Sequence, residues 1–138
     1  MKRIYNDINL ASRNSFGVSE KARMVVEFDS AEDLKEIFSA ERPDKWYVLG
    51  AGNNTLFTQY YDGVIFNPKA SSIAILGDDG EYVDLRVEAA YDWDSLVEWS
   101  VNNGLWGIEN LSAIPSSVGA APVQNIGAYG AEVKDVIT

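Results

Sequence analysis

Two short stretches of this 138-residue sequence carry residues whose types and spacing suit chemistry, and both offer backbone more than side chain. The first, "VLGAGNNTLF", places Gly50, Ala51, Gly52, Asn53 and Asn54 directly after an apolar, β-prone run. Glycine takes up positive φ without steric cost, and asparagine tolerates it better than most residues. Successive residues of that kind turn consecutive N–H groups into one concavity, a nest that receives an anion. The second stretch, "AIPSSVGAAPVQNIGAYG" (113–130), has no Asp, Glu, Lys, Arg or His among its eighteen residues. It offers Ser116, Ser117, Gly119, Ala120 and Ala121, then Gly127, Ala128 and Gly130. Such small side chains let a backbone lie against a flat or phosphorylated ligand, with hydroxyls and N–H groups as donors. Gln124 and Asn125 both donate and accept. The same composition also suits a close-packed interdomain turn, and the residues alone leave both readings open.

Absences narrow the chemistry. The chain has no Cys, which removes disulfides, thiolate nucleophiles and cysteine metal ligands together. It has no His, the usual general base near neutral pH and the commonest metal ligand. Ser-His-Asp and Cys-His catalysis are therefore excluded within this chain, and no metal site is expected. Catalysis here needs carboxylates, Tyr, Ser or Lys, or a bound cofactor. A formal charge of −10 disfavours nucleic acid and anionic membranes as partners. It also means that phosphate must be met by backbone dipoles more than by cations. The opening "MKRIYNDINLASRN" has no signal-peptide apolar run, and no stretch approaches the ~20 apolar residues of a membrane span. The expectation is a soluble cytoplasmic protein.

Elements must position these loops. Residues 23–28, "RMVVEF", read as a strand. "SAEDLKEIFSA" reads as a helix with Ser30 as N-cap, Leu34, Ile37 and Phe38 on one face, and an end near Glu41 before Pro43. Residues 46–50 and 63–67 read as two further strands. Residues 73–76 and 82–90 read as a hairpin with Val83, Leu85 and Val87 alternating against charge. "DWDSLVEWSVNNG" predicts a second helix with Trp93, Leu96, Val97 and Val101 on one stripe and Gly104 past its end. The order β-α-β-β, then β-β-α, then the glycine-rich stretch, predicts an α+β protein of two small units, 1–69 and 70–138. The closing "AEVKDVIT" reads as a strand opening at Val136, so the second unit is expected to be truncated at its C-terminus.

The G-x-G after a strand invites comparison with the dinucleotide fingerprint G-x-G-x-x-G, and the comparison fails. Thr55 occupies the third glycine position, no acidic residue lies about 20 residues on, and "TLFTQYYDG" is too short and β-prone for a crossover helix.

Taken together, "GAGNN", "DGVIFN" and "GIENLSAIPSSVGAAPVQNIGAYGAEV" resemble the UDP-N-acetylenolpyruvoylglucosamine reductase family, flavoenzymes that complete UDP-N-acetylmuramate for peptidoglycan. "NSFGV" (14–18) resembles the family's usual opening. The resemblance implies the FAD-binding fold of the vanillyl-alcohol oxidase type, in which two α+β subdomains hold FAD. By that resemblance Gly50, Ala51, Gly52, Asn53 and Asn54 wrap the FAD pyrophosphate. Pro115, Ser116, Ser117, Gly119, Ala120 and Ala121, with Asn125, Gly127 and Ala128, complete the flavin site, and Tyr129 sits toward the substrate. Gly52 is expected where a Cβ would block the pyrophosphate or force a costly backbone. Three small-for-small departures stand out: Asn53 where Ser is usual, Ser116 where Gly is common, and Ala120 where Gly or Ser is.

The resemblance further implies NADPH as reductant and a UDP-sugar as substrate of the full-length enzyme. It implies a Ser or Cys proton donor, with an Arg and a Glu that stabilise the enolate. All three belong to segments that would follow Thr138, in a missing C-terminal half. No catalytic residue is assigned, and the chain alone is expected to be inactive. Arg86 reads as the wet face of a strand, and Glu109 as a loop carboxylate. With no His or Cys to tether it, the flavin is expected to be non-covalent. Two alternatives stay open: another flavin oxidoreductase of the same fold, and a non-catalytic interaction module.

Overall fold

The computed structural model describes residues 2–138. One unit ends at Ala70 and the other runs from Ser71 to Thr138. In the first, β1 (Arg3–Asn9), β2 (Lys21–Phe28), α1 (Ala31–Glu41), β3 (Trp46–Val48) and β4 (Tyr61–Pro68) follow in order, with a 3₁₀ turn at Ala11–Arg13. The sheet order is β1-β2-β4-β3. β1 is antiparallel to β2, while β2 and β3 both run parallel to β4.

Strand periodicity explains why "MVVEF" and "VIF" are continuous apolar runs. Val25 and Ile65 pack to one side with Leu10, Ala22, Leu49 and Phe57. Val26, Val64 and Phe66 pack to the other with Ile37 of α1. Both faces of the two inner strands are covered, as parallel strands require. α1 starts as the sequence predicts: the Ser30 hydroxyl accepts the Asp33 N–H at 3.1 Å. It ends at Glu41, with Arg42 left-handed just before Pro43.

β1 is an element that sequence reasoning missed. Its Ile4, Tyr5 and Ile8 are diluted by Asn6, Asp7 and Asn9, and the strand is mostly exposed. β3 is shorter than expected, yet the Leu49 N–H still reaches the Phe66 carbonyl at 2.9 Å before the chain leaves the sheet at Gly50.

In the second unit, β5 (Ile73–Asp78) and β6 (Val83–Val87) form the expected antiparallel hairpin. The Asp79 carboxylate closes it by accepting the N–H groups of Tyr82 at 2.6 Å and Glu81 at 2.9 Å. α2 (Trp93–Asn102) is capped by Asp92, whose carboxylate accepts the Ser95 N–H at 2.8 Å. Its buried stripe is Trp93, Leu96, Val97 and Ser100; Val101, expected on it, is exposed. The spacing i, i+3, i+4, i+7 places position 100 inward, and polarity misled the sequence reading there. Gly104 follows with φ +72°. Leu111, Ala121, Ile126 and Val133 complete this core.

The chain's end corrects one expectation. No strand opens at Val136; a 3₁₀ turn, Val133–Asp135, precedes it. Instead, β7 (Gly127–Ala128) and β8 (Ala131–Glu132) form a minimal hairpin. Tyr129 and Gly130 have φ of +53° and +85°, as a two-residue primed turn demands. No helix among the described residues is long and apolar enough to cross a membrane.

Candidate functional site

In the first unit, chemistry gathers where the parallel strands end. Ligands of open parallel sheets bind beyond the carboxyl ends of the strands. A cavity of about 310 Å³ lies among Leu49, Gly50 and Ala51 after β3, Asn67 and Lys69 at the end of β4, and Ser12 and Arg13.

In the turn that follows β3, Gly52 alone among residues 50–54 has positive φ. None of the N–H groups of Gly50, Ala51, Gly52, Asn53 and Asn54 donates a hydrogen bond among the described residues. Asn67 orients part of it. Its side-chain amide donates to the carbonyls of Leu49 at 2.6 Å and Gly50 at 3.1 Å. In a trans peptide the N–H points opposite to the C=O, so the Gly50 and Ala51 N–H groups are turned away from Asn67. The Ser15 hydroxyl and N–H fasten the far side, on the Asn53 carboxamide oxygen at 2.5 Å and the Gly52 carbonyl at 3.1 Å.

Gly52 has φ +76°, so the costly backbone is present. What a Cβ would meet is the protein's own chain: the Arg13 carbonyl oxygen lies 2.1 Å from that position. Its glycine is demanded by the turn at 11–14, which "NSFGV" anchors. Asn14, buried, donates to the carbonyls of Leu10 at 2.7 Å and Val18 at 3.1 Å.

Sequence reasoning missed the charges beside this turn. Glu27 lies next to Asn67 in the β2–β4 register and is buried. Its carboxylate meets the Arg13 guanidinium at 2.7 Å, Lys69 at 3.5 Å and the Tyr5 hydroxyl at 3.2 Å. Burial alone would raise its pKa; the Arg13 hydrogen bond and the Lys69 charge outweigh it, and the carboxyl sits below its usual range. The signal was a Glu inside an apolar strand, which needs a cation nearby.

The second unit treats its small-residue stretch differently. Residues 116–119 lie against 89–93 as a strip of backbone. The N–H groups of Trp93, Val118 and Gly119 donate to the carbonyls of Ser116, Tyr91 and Ala89 at 3.1, 2.9 and 2.9 Å. A Cβ at Gly119 would lie 2.7 Å from that of Ala89. Ala120 and Ala121 both donate to the Ser117 carbonyl at 3.0 Å. The N–H groups expected as ligand donors at 118–121 are therefore spent inside the protein. The Ser116 hydroxyl is also engaged, donating to the Ser117 carbonyl and accepting from Gln124, both at 2.9 Å.

Ser117 is the exception. It is 5% exposed, and its hydroxyl is buried without a hydrogen-bond partner among the described residues. Pro115, Asn125 and Gly127 are exposed, Ala128 half-buried, and Tyr129 stands 91% exposed at the hairpin tip. Arg86 is exposed on β6, as read from the sequence. Glu109 accepts the Gly107 N–H at 2.6 Å, a local turn contact.

The chain matches the FAD binding domain family over residues 22–138. It is 43% identical over 129 residues to a UDP-N-acetylenolpyruvoylglucosamine reductase of Aliivibrio fischeri, covering 89% of this chain and 36% of the relative. It is 41% identical over 135 residues to that of Pseudomonas fluorescens, covering 96% and 40%. The fold is similar to the crystal structure of the Thermus caldophilus UDP-N-acetylenolpyruvylglucosamine reductase, with TM-score 0.74 at 22% identity, over 96% of this chain and 46% of that one. The chain thus spans about two fifths of the length of these curated relatives. The match over residues 22–138, the α+β fold and these relatives agree: the chain belongs to the FAD-binding domain family and is similar to the N-terminal FAD-binding portion of UDP-N-acetylenolpyruvoylglucosamine reductases.

Proposed function

We propose that the chain binds FAD without a covalent bond, as the flavin-holding part of an NADPH-dependent reductase. That reductase converts UDP-N-acetylenolpyruvoylglucosamine to UDP-N-acetylmuramate in the cytoplasm, for peptidoglycan synthesis. The observation that carries this is the turn at residues 50–54, whose N–H groups are all unengaged among the described residues and whose Gly50 and Ala51 line a cavity at the strand ends.

The residues present fit the cofactor. Gly50, Ala51, Gly52, Asn53 and Asn54 receive the diphosphate, since consecutive N–H dipoles favour negative charge. The orphaned Ser117 hydroxyl offers one more donor from within the stretch 115–121, where an unmet buried hydroxyl otherwise costs about 1–3 kcal/mol. Asn125, Gly127 and Ala128 complete the flavin-binding set, and Tyr129 faces the UDP-sugar. Bound flavin supplies hydride transfer; this chain's residues bind and orient, and none is assigned to proton transfer. The 138-residue chain alone therefore does not turn over.

The test is titration of the purified chain with FAD, followed by acid precipitation. FAD binds with a defined stoichiometry and leaves with the supernatant. Absence of binding would sink the proposal and favour the interaction module. NADPH oxidation dependent on the enolpyruvyl substrate then separates this reductase from other flavoenzymes of the fold, in the full-length protein only.

A further inference from the structure

We infer that Arg13 and Lys69, held on the buried carboxylate of Glu27, form a cationic wall that takes a phosphate of the bound dinucleotide; this rests on the FAD reading above. A chain of charge −10 is expected to meet phosphate through backbone dipoles more than through cations. The fold supplies cations as well. It brings two cations from residues 56 positions apart in sequence onto the cavity that Gly50 and Ala51 also line.

The arrangement is more than the neutralisation of Glu27. One carboxylate faces two full positive charges within 3.5 Å. The cavity edge thus keeps an excess of positive charge. Arg13 is also pre-ordered: its guanidinium sits 5.1 Å from the centre of the Tyr5 ring and donates one hydrogen bond to Glu27. A guanidinium has five N–H donors, so capacity remains for a bidentate phosphate contact. Because the side chain is already held, little rotamer freedom is left to lose when an anion arrives. Lys69 is fixed through its backbone, whose N–H donates to the Phe28 carbonyl at 2.9 Å, and its side chain stays about half exposed. In this reading Glu27 is a positioning residue: it touches no ligand and sets where both cations stand.

The experiment titrates wild type, Lys69→Met and Arg13→Met with FAD, with riboflavin, which has no phosphate, and with inorganic pyrophosphate, at several salt concentrations. Circular dichroism checks that each variant is folded; Lys69→Met removes a half-exposed side chain and keeps the test decisive if Arg13→Met does not fold. Lys69→Met is expected to weaken FAD and pyrophosphate on the order of tenfold, leave riboflavin unchanged, and reduce the salt dependence of FAD binding. Unchanged FAD and pyrophosphate affinities in Lys69→Met overturn the cationic wall while the FAD reading stands. Wild-type pyrophosphate binding that Lys69→Met loses, with no FAD binding at all, keeps the wall and overturns the FAD reading. Wild type that binds neither ligand overturns both.

Discussion

Gly52 and Gly104 have nearly the same backbone, φ +76° and +72°, but opposite surroundings. Nothing lies within 4 Å of a Cβ built on Gly104, whereas one on Gly52 strikes the Arg13 carbonyl oxygen at 2.1 Å. Gly104→Ala should cost only the strain of a left-handed alanine, about 1 kcal/mol. Gly52→Ala must add displacement of residues 11–14 and is expected to cost at least about 2 kcal/mol more in urea unfolding. Equal losses would show that the 11–14 turn does not press on the loop. Gly52→Val should therefore lower stability as well as flavin affinity. Ser117 offers the converse case. Removing a buried hydroxyl that has no partner should leave the melting temperature of flavin-free protein unchanged or higher. If that hydroxyl meets the cofactor, Ser117→Ala weakens FAD about tenfold in the same preparation. A destabilised flavin-free variant with normal FAD affinity would reverse both halves of this assignment.

At the scale of elements, the strip 116–119 is held to 89–93 by backbone hydrogen bonds at a separation that only glycine permits at 119. Gly119→Val should push the strip away and lower stability by about 1–3 kcal/mol through overpacking. Gly77→Ala, where the nearest atom to a Cβ is 3.8 Å away at normal φ, should cost nothing in the same denaturation series. Similar midpoints for the two variants would remove close packing as the reason for the glycine. This strip also shows what was legible in the sequence. Small, uncharged residues announced that something approaches the backbone, and composition left open whether it was ligand or protein; at Gly119 it is Ala89 of the same chain. Periodicity disclosed β2, α1, the β5–β6 hairpin and α2, because each pairs an apolar rhythm with a cap or turn. β1 stayed hidden because its partner β2 supplies most of the burial. Glu27, Asn67 and Lys69 stayed hidden because only the parallel register brings the ends of β2 and β4 beside the turn after β3, and Arg13 because it joins them only through its ion pair with Glu27.

For the whole molecule, the absence of His removes side-chain titration in the ordinary range between about pH 6 and 8, so stability there should be flat. Below that range the carboxyls lowered in the fold act with one sign, Glu27, Asp79, Asp94 and Glu109 among them. Glu27 is lowered by Arg13 and Lys69 against its burial, Asp79 by the Tyr82 and Glu81 N–H groups, Asp94 by the Ala113 N–H and Ser112 hydroxyl, and Glu109 by backbone N–H groups. A carboxyl lowered in the folded state adds stability above its unfolded value and loses it as pH falls through the folded value. Thermal melts should therefore drop as pH falls below 4.5, the ordinary value for Glu27. Glu27→Gln should cost about 3 kcal/mol at pH 7, by leaving Arg13 without its buried partner, and should shallow the acid limb. A parallel acid limb in that variant would remove Glu27 from the titration. The strand order β1-β2-β4-β3 acts on a different clock. β4, the last strand of its sheet to be synthesised, is the one inserted between β2 and β3. At roughly 5–20 residues per second, β1 and β2 wait on the ribosome for several seconds, with one edge open, until Pro68 emerges. During that interval Val25 and Val26, fully buried in the finished fold, have no parallel neighbour, so the nascent chain presents an unpaired apolar strand edge until its sheet closes.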